Sequence, residues 1–600
     1  MYFKELAGYL ERLEGTSSRN TMTDILADLL KHAGGTEIDE ICYLILGELV
    51  PAYRGLEFQI AEKMMIAALA AAYSTTREEA ARRVAARGDV GDAAYDLARD
   101  HRSLGKRMTV AAVYRAMYGI AEDAGEGSQE RKIRAMASLL SSLDPLSAKY
   151  VARIPLGKLR LGFSDATLLD ALSLMVTGDK SGRRAIERAY NVTADIGALA
   201  SRVKRGGLAS LSRLHATPGI PIRPSLAERL NDINDVVKKA GPIVGVEVKL
   251  DGFRTQIHVW REKGGVHVRL FSRNLENTTA MFPEIVHAAK KLPVQSVILD
   301  TEAIGYYART DTFAPFQETV QRKRKHEVAE FAARIPLAAF VFDVMYRDGT
   351  SLVARPFRER RRHLQDLLGR RTGAGTIRLA GQRLTDDIDV IKAELTQSVN
   401  KGLEGLVVKN LSAPYEAGSR GFHWIKLKAN TAALGNLRAG GAGGRIKGLP
   451  DTIDCLVMGA YRGRGKRTKF GVGGFLLGVP GRDERFYSLS RLGTGMSDEQ
   501  FRELGRRIKA HEVAAMPKEY VVDKEVAPDI WIEPSLVVEI LADEITRSPR
   551  HSAGRGRDRR GLSLRFPRLV RVRDDKKPHD ATSADEVSSM HRRQKTASSK

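Results

Sequence analysis

The sequence predicts a multidomain chain with an all-α domain, an α+β domain and a small β-barrel domain, in that order. Its 600 residues exceed what one hydrophobic core supports. Helical periodicity dominates the first third, short β-branched and aromatic runs dominate the middle, and a glycine-rich segment precedes closely spaced strands near the end. These changes predict domains at 1–225, 226–432 and 433–594, followed by a disordered tail at 595–600.

The helical domain is predicted from apolar residues that recur at spacings of three and four. Met22, Ile25 and Leu26 begin one such pattern, and another extends from Ile60 through Ala72. The stretch 217–224 contains prolines that remove backbone donors and favour extended geometry in the residues before them. We therefore expect the helical domain to end near Leu211 and a linker to follow it.

The second and third domains are predicted from short apolar runs with strand character. Predicted strands of the α+β domain are Val244–Val248, Thr255–Trp260, Val266–Phe271, Val297–Leu299, Phe340–Val344 and Gly405–Val408, with helices at Phe282–Leu292 and Ile388–Asn400. The segment 435–448 is rich in glycine and is predicted to be a flexible joint. Predicted strands beyond it are Asp454–Tyr461, Gly473–Val479 and Val537–Leu541, and one more helix is predicted at Ser583–His591.

The charge of the chain predicts a polyanionic partner. The formal net charge is +24, and lysines and arginines that neutralise phosphates gain free energy from counterion release. The alternative is a basic surface that is only solvated. The two cysteines, Cys42 and Cys455, exclude a disulfide framework or a four-cysteine zinc site. With no secretory or membrane-spanning pattern, we expect a cytoplasmic, nucleoid-associated protein, or a nuclear one in a eukaryote.

Lys249 is the candidate nucleophile. It follows an apolar strand and precedes a turn in the sequence Glu247-Val248-Lys249-Leu250-Asp251-Gly252. Lysine attacks phosphorus as the neutral amine, which burial or neighbouring cations favour by lowering its pKa. On its own, a Lys-x-Asp-Gly pattern is more often an ordinary surface turn.

An ordered series of downstream segments makes the pattern specific. In chain order these are Arg254, Phe271 to Asn274, Leu299 to Glu302, Phe342-Asp343, Glu404 to Lys409, Trp424 to Lys428 and Arg565 to Lys576. Asp300 and Glu302 are predicted to lie at the end of a strand. Strand alternation places Lys426 and Lys428 on one face, where both can neutralise charge that develops on a phosphate.

Together these segments resemble the six collinear motifs of the covalent nucleotidyltransferases, which include DNA ligases, RNA ligases and mRNA capping enzymes. Further segments narrow the resemblance to the archaeal and eukaryotic replicative (DNA ligase I-like) family of ATP-dependent DNA ligases. They are Met22 to Leu26, Leu156 to Gly162, Ala189 to Thr193, Arg322 to Lys325 and Tyr461 to Arg467. The resemblance extends from Met1 to about Gln594, and implies a DNA-binding helical domain, an adenylation domain and an OB-fold domain.

The resemblance implies that the chain seals nicks in duplex DNA through lysyl-AMP on Lys249, in DNA replication, repair and recombination. ATP is the expected co-substrate and Mg²⁺ the expected metal. The implied nucleotide contacts are Glu247 to adenine, Phe342 stacked on the base, Arg254 and Glu302 near the ribose, Arg273 and Arg420 near the phosphates, and Lys426 and Lys428 at the α-phosphate. Glu302 and Glu404 are the candidate metal ligands, Arg565 and Arg568 the candidate pyrophosphate contacts, and Lys409 a further candidate phosphate contact.

Several alternatives remain open at this point. Phe342 also fits a core position, Glu404 a turn, and Arg571 and Arg573 a solvated strand. An RNA ligase or capping guanylyltransferase shares the lysine motif but is not expected to carry the helical domain. A non-catalytic DNA clamp is expected to lack Lys249, and an NAD-dependent ligase to carry zinc-binding cysteines. We expect a monomer, and find no sliding-clamp docking motif at 101–106, where relatives place one.

Overall fold

The computed structural model describes residues 1–101, 105–157, 159–230, 233–310, 312–314, 316–324, 327–369, 375–401, 403–428, 452–463, 471–493, 496–556 and 558–596. The predicted joint at 435–448, the side chain of Lys428 and positions 597–600 of the predicted tail lie outside the described residues. The chain divides into two compact units. Unit 1 comprises Met1–Glu228, Lys239–Leu384 and Lys409–Ile425, and unit 2 comprises Arg229–Lys238, Thr385–Val408 and Lys426–Lys600.

The first part of unit 1 is helical, as predicted. Its α-helices are α1 (Phe3–Glu14), α2 (Arg19–His32), α3 (Ile38–Leu46), α4 (Glu62–Ala72), α5 (Arg77–Arg87), α6 (Val90–Asp100), α7 (Val110–Glu122), α8 (Ser128–Ser141), α9 (Pro145–Arg153), α10 (Asp165–Thr177), α11 (Arg183–Thr193) and α12 (Ile196–Gly206). Side-chain caps fix several of the starts, because the first backbone N–H groups of a helix lack helical partners. Ser18 accepts from the Thr21 N–H, and Asp144 caps α9. The apolar faces of these helices share one buried core.

The middle of the chain is mixed. Its elements are β1 (Leu226–Arg229), α13 (Asn234–Ala240), β2 (Val244–Lys249), β3 (Phe253–Glu262), β4 (Gly265–Ser272), α14 (Pro283–Lys290), β5 (Ser296–Tyr307), β6 (Thr312–Phe313), α15 (Phe316–Thr319), α16 (Val328–Arg334), β7 (Leu337–Arg347), β8 (Thr350–Ser351), α17 (Phe357–Leu368), β9 (Ile377–Leu379), β10 (Gln382–Thr385), α18 (Ile388–Asn400), β11 (Gly405–Asn410) and β12 (Arg420–Lys428). Each strand and helix predicted here is present, and α18 has the predicted bounds. The predicted α+β character is therefore confirmed.

The strands of this middle part form two sheets. One follows the order β4-β3-β5-β7-β8, with β6 paired to β5 and β9 paired to β7. Helices α14 and α17 pack on it, and buried residues such as Val259, Leu299 and Leu364 form a core with them. The other sheet follows the order β1-β12-β11-β2-β10. The first sheet contributes β3, β5 and β7 to the candidate site, and the second contributes β2, β11 and β12.

The C-terminal part of unit 2 is built from short strands. Its elements are β13 (Ile453–Arg462), β14 (Val472–Pro480), β15 (Phe486–Leu492), α19 (Asp498–Ala510), β16 (Glu512–Val513), β17 (Tyr520–Val521), β18 (Ile530–Ile532), β19 (Val537–Leu541), β20 (Glu544–Ser548), β21 (Gly561–Arg565), β22 (Arg568–Val572) and α20 (Ala584–Thr596). The main sheet follows the order β16-β18-β13-β14-β15-β17, β19 pairs with β13 and β22, and β20 pairs with β21. This region is rich in strands, as predicted, and its apolar residues form a core of their own. Among the described residues, however, the pairing of these strands does not close into the predicted β-barrel.

Within the described ranges, no helix combines the length and the apolar character needed to cross a membrane.

Candidate active site

Lys249 is the last residue of β2, so it lies at a strand end as the sequence predicts, and it is half-buried. Because strand side chains alternate, Glu247 and Lys249 share one face while Val248 is exposed on the other. The chain directly after Lys249 is held against β5, since the Gly252 N–H donates to Glu302 Oε1 at 3.1 Å. A Cβ at Gly252 would overlap the backbone carbonyl oxygen of Ala303. Only glycine fits this approach, so the position of Lys249 depends on it.

The carboxylates of β5 lie in the middle of that strand, not at its end as predicted. The strand extends from Ser296 to Tyr307. The polar residues Asp300 and Thr301 are both fully buried, so the sequence of this strand does not show the usual alternation of apolar and polar residues. Burial raises the pKa of Glu302 to about 7, and Asp300 acts in the same direction. The charge of Lys249 opposes this shift. Lys249 and Glu302 are therefore electrostatic neighbours.

Arg254 lies opposite Glu302 in the pairing of β3 with β5. Its guanidinium holds Asp300 with two hydrogen bonds, from Nε at 3.1 Å and from Nη2 at 2.7 Å. Nη1 donates to the Ser225 carbonyl at 2.5 Å, and Nη2 also donates to the Tyr415 hydroxyl at 3.2 Å. These contacts fix the plane of the guanidinium. Sequence reasoning missed Tyr415 altogether and gave Asp300 no partner.

Phe342 lies on β7 and is half-buried, so its ring is partly accessible. Trp424 contacts it edge-on, with ring centroids 5.8 Å apart. The ammonium of Lys409 lies between the rings of Phe342, Phe357 and Trp424, at 4.7, 4.6 and 4.6 Å from their centroids. It also donates to the Phe342 carbonyl at 2.9 Å. Lys409 thus contacts both the backbone carbonyl and the ring of Phe342.

The carboxylate of Glu247 is buried, and each of its oxygens has a partner. Lys409 pairs with it at 2.7 Å, Gln382 donates to it at 3.0 Å, and Arg361 lies 3.7 Å away. Burial raises the pKa of Glu247, an effect that Lys409 and Arg361 oppose. Lys409 is 1% exposed. This burial contradicts the interpretation of Lys409 as a phosphate contact, because a lysine at a strand end can turn inward to a carboxylate.

The two arginines predicted near the phosphates are exposed. Arg273 follows the last residue of β4, and Arg420 is the first residue of β12. Both belong to unit 1, as do Glu247, Lys249 and Arg254. Exposed guanidinium groups in such positions can contact an anionic ligand without the cost of desolvating a buried cation.

The remaining predicted site residues belong to unit 2. Glu404 is half-buried just before β11, Lys426 is half-buried on β12, and Lys428 is the last residue of that strand. Arg565 ends β21 and lies 3.5 Å from Glu544, and Arg568 begins β22 and donates to Asp543 at 2.6 Å. In this structure Arg565 and Arg568 therefore both have carboxylate partners.

No group of three or more histidine, cysteine, aspartate or glutamate side chains that could hold a metal ion is found in the described part of the chain. This arrangement is compatible with Mg²⁺, which usually binds through one or two carboxylates and completes its octahedron with water and substrate phosphates. Glu302 offers such a carboxylate. Burial disfavours its charged form, and a hard cation would favour it.

Comparison with known proteins adds to this geometry. Three family models match the chain, "DNA ligase N terminus" at 2–173, "ATP dependent DNA ligase domain" at 224–428 and "ATP dependent DNA ligase C terminal region" at 468–576. A probable DNA ligase of Dictyoglomus thermophilum is 42% identical over 602 residues, which cover 99% of this chain and 98% of that relative. The chain belongs to the ATP-dependent DNA ligase family. The family predicted from the motifs is thus confirmed for this ligase.

Other relatives agree with this membership. DNA ligase 1 of Methanosarcina mazei is 36% identical to the ligase, over 98% of this chain and 99% of the relative. The DNA ligase of Sulfolobus acidocaldarius is 36% identical, over 98% of each chain. The solved structure named Pmar-Lig_PreS3 has a TM-score of 0.55 at 17% identity, and the match covers 95% of this chain and 99% of that chain. At this identity, the last comparison concerns the fold alone.

Proposed function

We propose that this ATP-dependent DNA ligase stores AMP on Lys249 and uses it to seal nicks in duplex DNA. The observation that carries the proposal is the grouping of Lys249, Glu302 and Arg254 at the facing parts of β2, β3 and β5. A lysine at a strand end, beside a buried carboxylate and a fixed guanidinium, is suited to attack on a bound nucleotide.

The reaction follows three in-line displacements at phosphorus. The Lys249 amine, after losing a proton, bonds to the α-phosphorus of ATP as the bond to pyrophosphate breaks. An oxygen of the 5′-phosphate at the nick then bonds to the AMP phosphorus and releases Lys249. Finally, the 3′-hydroxyl loses its proton and attacks the 5′-phosphate, and AMP leaves. Positioning and charge neutralisation supply most of the catalysis in such steps.

In this proposal, the residues around Lys249 bind the nucleotide. The base stacks on the accessible part of Phe342, beside Glu247, which the ion pair with Lys409 fixes in place. Arg254 and Glu302 hold the ribose. The proposed phosphate contacts are Arg273, Arg420, Lys426 and Lys428.

Mg²⁺ is the proposed metal, held through Glu302 and Glu404. When bound, it would neutralise charge on the phosphate oxygens. Glu302 offers a carboxylate for this role, whose charged form burial disfavours and Lys249 and Arg254 already favour.

The C-terminal strands are proposed to form an OB-fold that contributes Arg565 and Arg568 to the pyrophosphate leaving group. A guanidinium suits this role because its planar fork binds phosphate oxygens in pairs. The present partners, Glu544 and Asp543, would have to be exchanged for phosphate when ATP binds. The net charge of +24 supports a further role of the whole chain in binding DNA phosphates without reading sequence.

Removing the ring of Phe342 tests the base-stacking role. Stacking on an aromatic side chain is worth roughly 1–3 kcal/mol per base, so Phe342→Ala is expected to raise the KM for ATP by roughly 5- to 150-fold. Phe342→Leu keeps an apolar side chain without a π face, and Phe342→Tyr keeps the ring. We expect the leucine variant to behave like alanine and the tyrosine variant like wild type. Recovery of the wild-type KM by leucine would instead assign Phe342 to the core.

Nick sealing is the experiment that tests the proposed function. With ATP and Mg²⁺, the wild type is expected to seal a 5′-phosphorylated nick in duplex DNA, and chelation of divalent cations to stop sealing. Lys249→Ala is expected to fail with ATP but to seal a nick that is already adenylated, since the last step does not use the lysine as nucleophile. An inactive wild type, or sealing by Lys249→Ala with ATP, would refute the proposal. Preference for an RNA duplex would favour an RNA ligase.

A further inference from the structure

The Tyr415 hydroxyl is a buried junction beneath Arg254. Tyr415 is 3% exposed. Its hydroxyl donates to Asp300 Oδ2 at 2.7 Å, and its oxygen accepts from the Ser225 N–H at 3.1 Å and from Arg254 Nη2 at 3.2 Å. Burial raises the pKa of Tyr415 and the charge of Asp300 raises it further, so the hydroxyl keeps its proton. One oxygen therefore serves three polar groups.

These contacts determine how Arg254 can be oriented. Asp300 is fully buried and accepts from Arg254 twice and from Tyr415 once. The Ser225 carbonyl accepts from the remaining terminal nitrogen of Arg254. Removal of the hydroxyl would leave the buried Ser225 N–H without its acceptor and Asp300 with one donor fewer. The Ser225 N–H and Arg254 Nη2 would both lose the tyrosine oxygen as an acceptor and would compete for Asp300, because buried polar groups are costly to leave unpaired.

The junction also connects Arg254 to the segment that leaves the helical region. We call residues 222–226 the connecting segment. Within it, the Arg223 N–H donates to the Asn191 carbonyl at 2.8 Å, and the Arg223 side chain donates to Asp165 at 3.0 Å. On its other side, Ser225 bonds to Tyr415 and Arg254 as described above. The connecting segment is thus bonded both to the helical region and to the group that holds Arg254.

We propose that Tyr415 is a positioning residue that orients the guanidinium of Arg254 for its contact with the nucleotide, using the connecting segment as its anchor. The inference rests on the proposed function, in which Arg254 contacts the ribose. Tyr415 itself touches no substrate in this account. Its effect therefore passes through Arg254 and disappears when that side chain is absent.

A double-mutant cycle tests this coupling. Tyr415→Phe is expected to slow lysyl-AMP formation about tenfold or more at saturating ATP, and Arg254→Ala to slow it further. In the Arg254→Ala background, Tyr415→Phe is expected to change the rate less than twofold. Tyr73→Phe is the matched control, since Tyr73 is 5% exposed and its hydroxyl donates to the Leu140 carbonyl in the helical region. We expect the control to leave the rate unchanged, and thermal unfolding is measured for each variant.

The outcomes separate this inference from the proposed function. Equal rate losses from Tyr415→Phe with and without Arg254, or no loss at all, would overturn the positioning role. If the wild type forms no lysyl-AMP, the proposed function fails, and a crystal structure of Tyr415→Phe then decides the inference without ATP. A guanidinium rotated away from Asp300 supports the inference, and an unchanged guanidinium overturns it.

Discussion

Replacement of Lys409 by methionine is expected to destabilise the chain by about 3–5 kcal/mol at neutral pH, because it leaves a buried carboxylate without its cation. Methionine is similar in length to lysine and apolar, so it suits the space between the three aromatic rings. The carboxylate of Glu247 would keep only Gln382 and the more distant Arg361. Chemical unfolding, followed by tryptophan fluorescence, measures the lost free energy of unfolding. Trp424 reports on this site because its ring lies 4.6 Å from the Lys409 ammonium.

A second variant separates the lost ion pair from a packing defect. Glu247→Gln with Lys409→Met removes both charges of this buried pair, and we expect more than half of the lost stability to return. If the double variant is as unstable as the single one, the cost lies in the packing of methionine. The account of the buried pair would then be wrong.

The defect of Lys409→Met is also expected to depend on pH. Burial already raises the pKa of Glu247, and loss of the Lys409 charge raises it further. The folded variant then binds the Glu247 proton more tightly than the unfolded chain does, so folding is favoured as the pH falls. The difference in stability between variant and wild type should therefore become smaller as the pH falls from neutrality to about 5. This range ends close to the ordinary glutamate pKa of about 4.3. The double variant should show no such narrowing, and a gap that widens on acidification would contradict the charge assignment.

Substitution of Gly252 by alanine is expected to lower the rate of lysyl-AMP formation by about 100-fold or more. The added Cβ would overlap the Ala303 carbonyl, which belongs to β5 and is held in a sheet. The loop after Lys249 must move instead, and a displacement of about 1 Å at a reacting group can cost about 100-fold in rate. Incorporation of label from α-labelled ATP into the protein measures this rate.

Gly264→Ala provides the matched control for Gly252→Ala. Gly264 lies in the turn between β3 and β4, and a Cβ there would meet nothing closer than 3.9 Å. We expect the control to keep the wild-type rate. A wild-type rate in Gly252→Ala would show that the loop tolerates the displacement, and the proposed dependence of Lys249 on this contact would be discarded.

The sequence predicted those parts of the fold that depend on local pattern. The alternation of β2 and the helical periodicity of α18 are local, and both elements appear where they were expected. The carboxylates of β5 were misplaced to a strand end because buried polar residues interrupt the apolar pattern of that strand. The local sequence pattern does not show that such buried residues find their hydrogen-bond partners on another strand, as Asp300 does with Arg254.

The partners within the site depend on contacts between distant parts of the chain. Tyr415 and Ser225 are 190 residues apart, and nothing near either residue indicates their hydrogen bond. Lys409 was interpreted as a further phosphate contact from its place at the end of an apolar strand, whereas in the structure it is buried and pairs with Glu247. The motif residue Lys249 was predictable, but the groups that orient its neighbours were not.

The covalent attachment of AMP to Lys249 is the most direct test of the proposed mechanism. The full-length protein is incubated with α-labelled ATP and Mg²⁺ without DNA, and the labelled peptide is identified after proteolysis. We expect one labelled site, at Lys249, with label that is lost when nicked DNA is added and absent from Lys249→Ala. An unlabelled wild type, or label that persists in Lys249→Ala, would contradict the account.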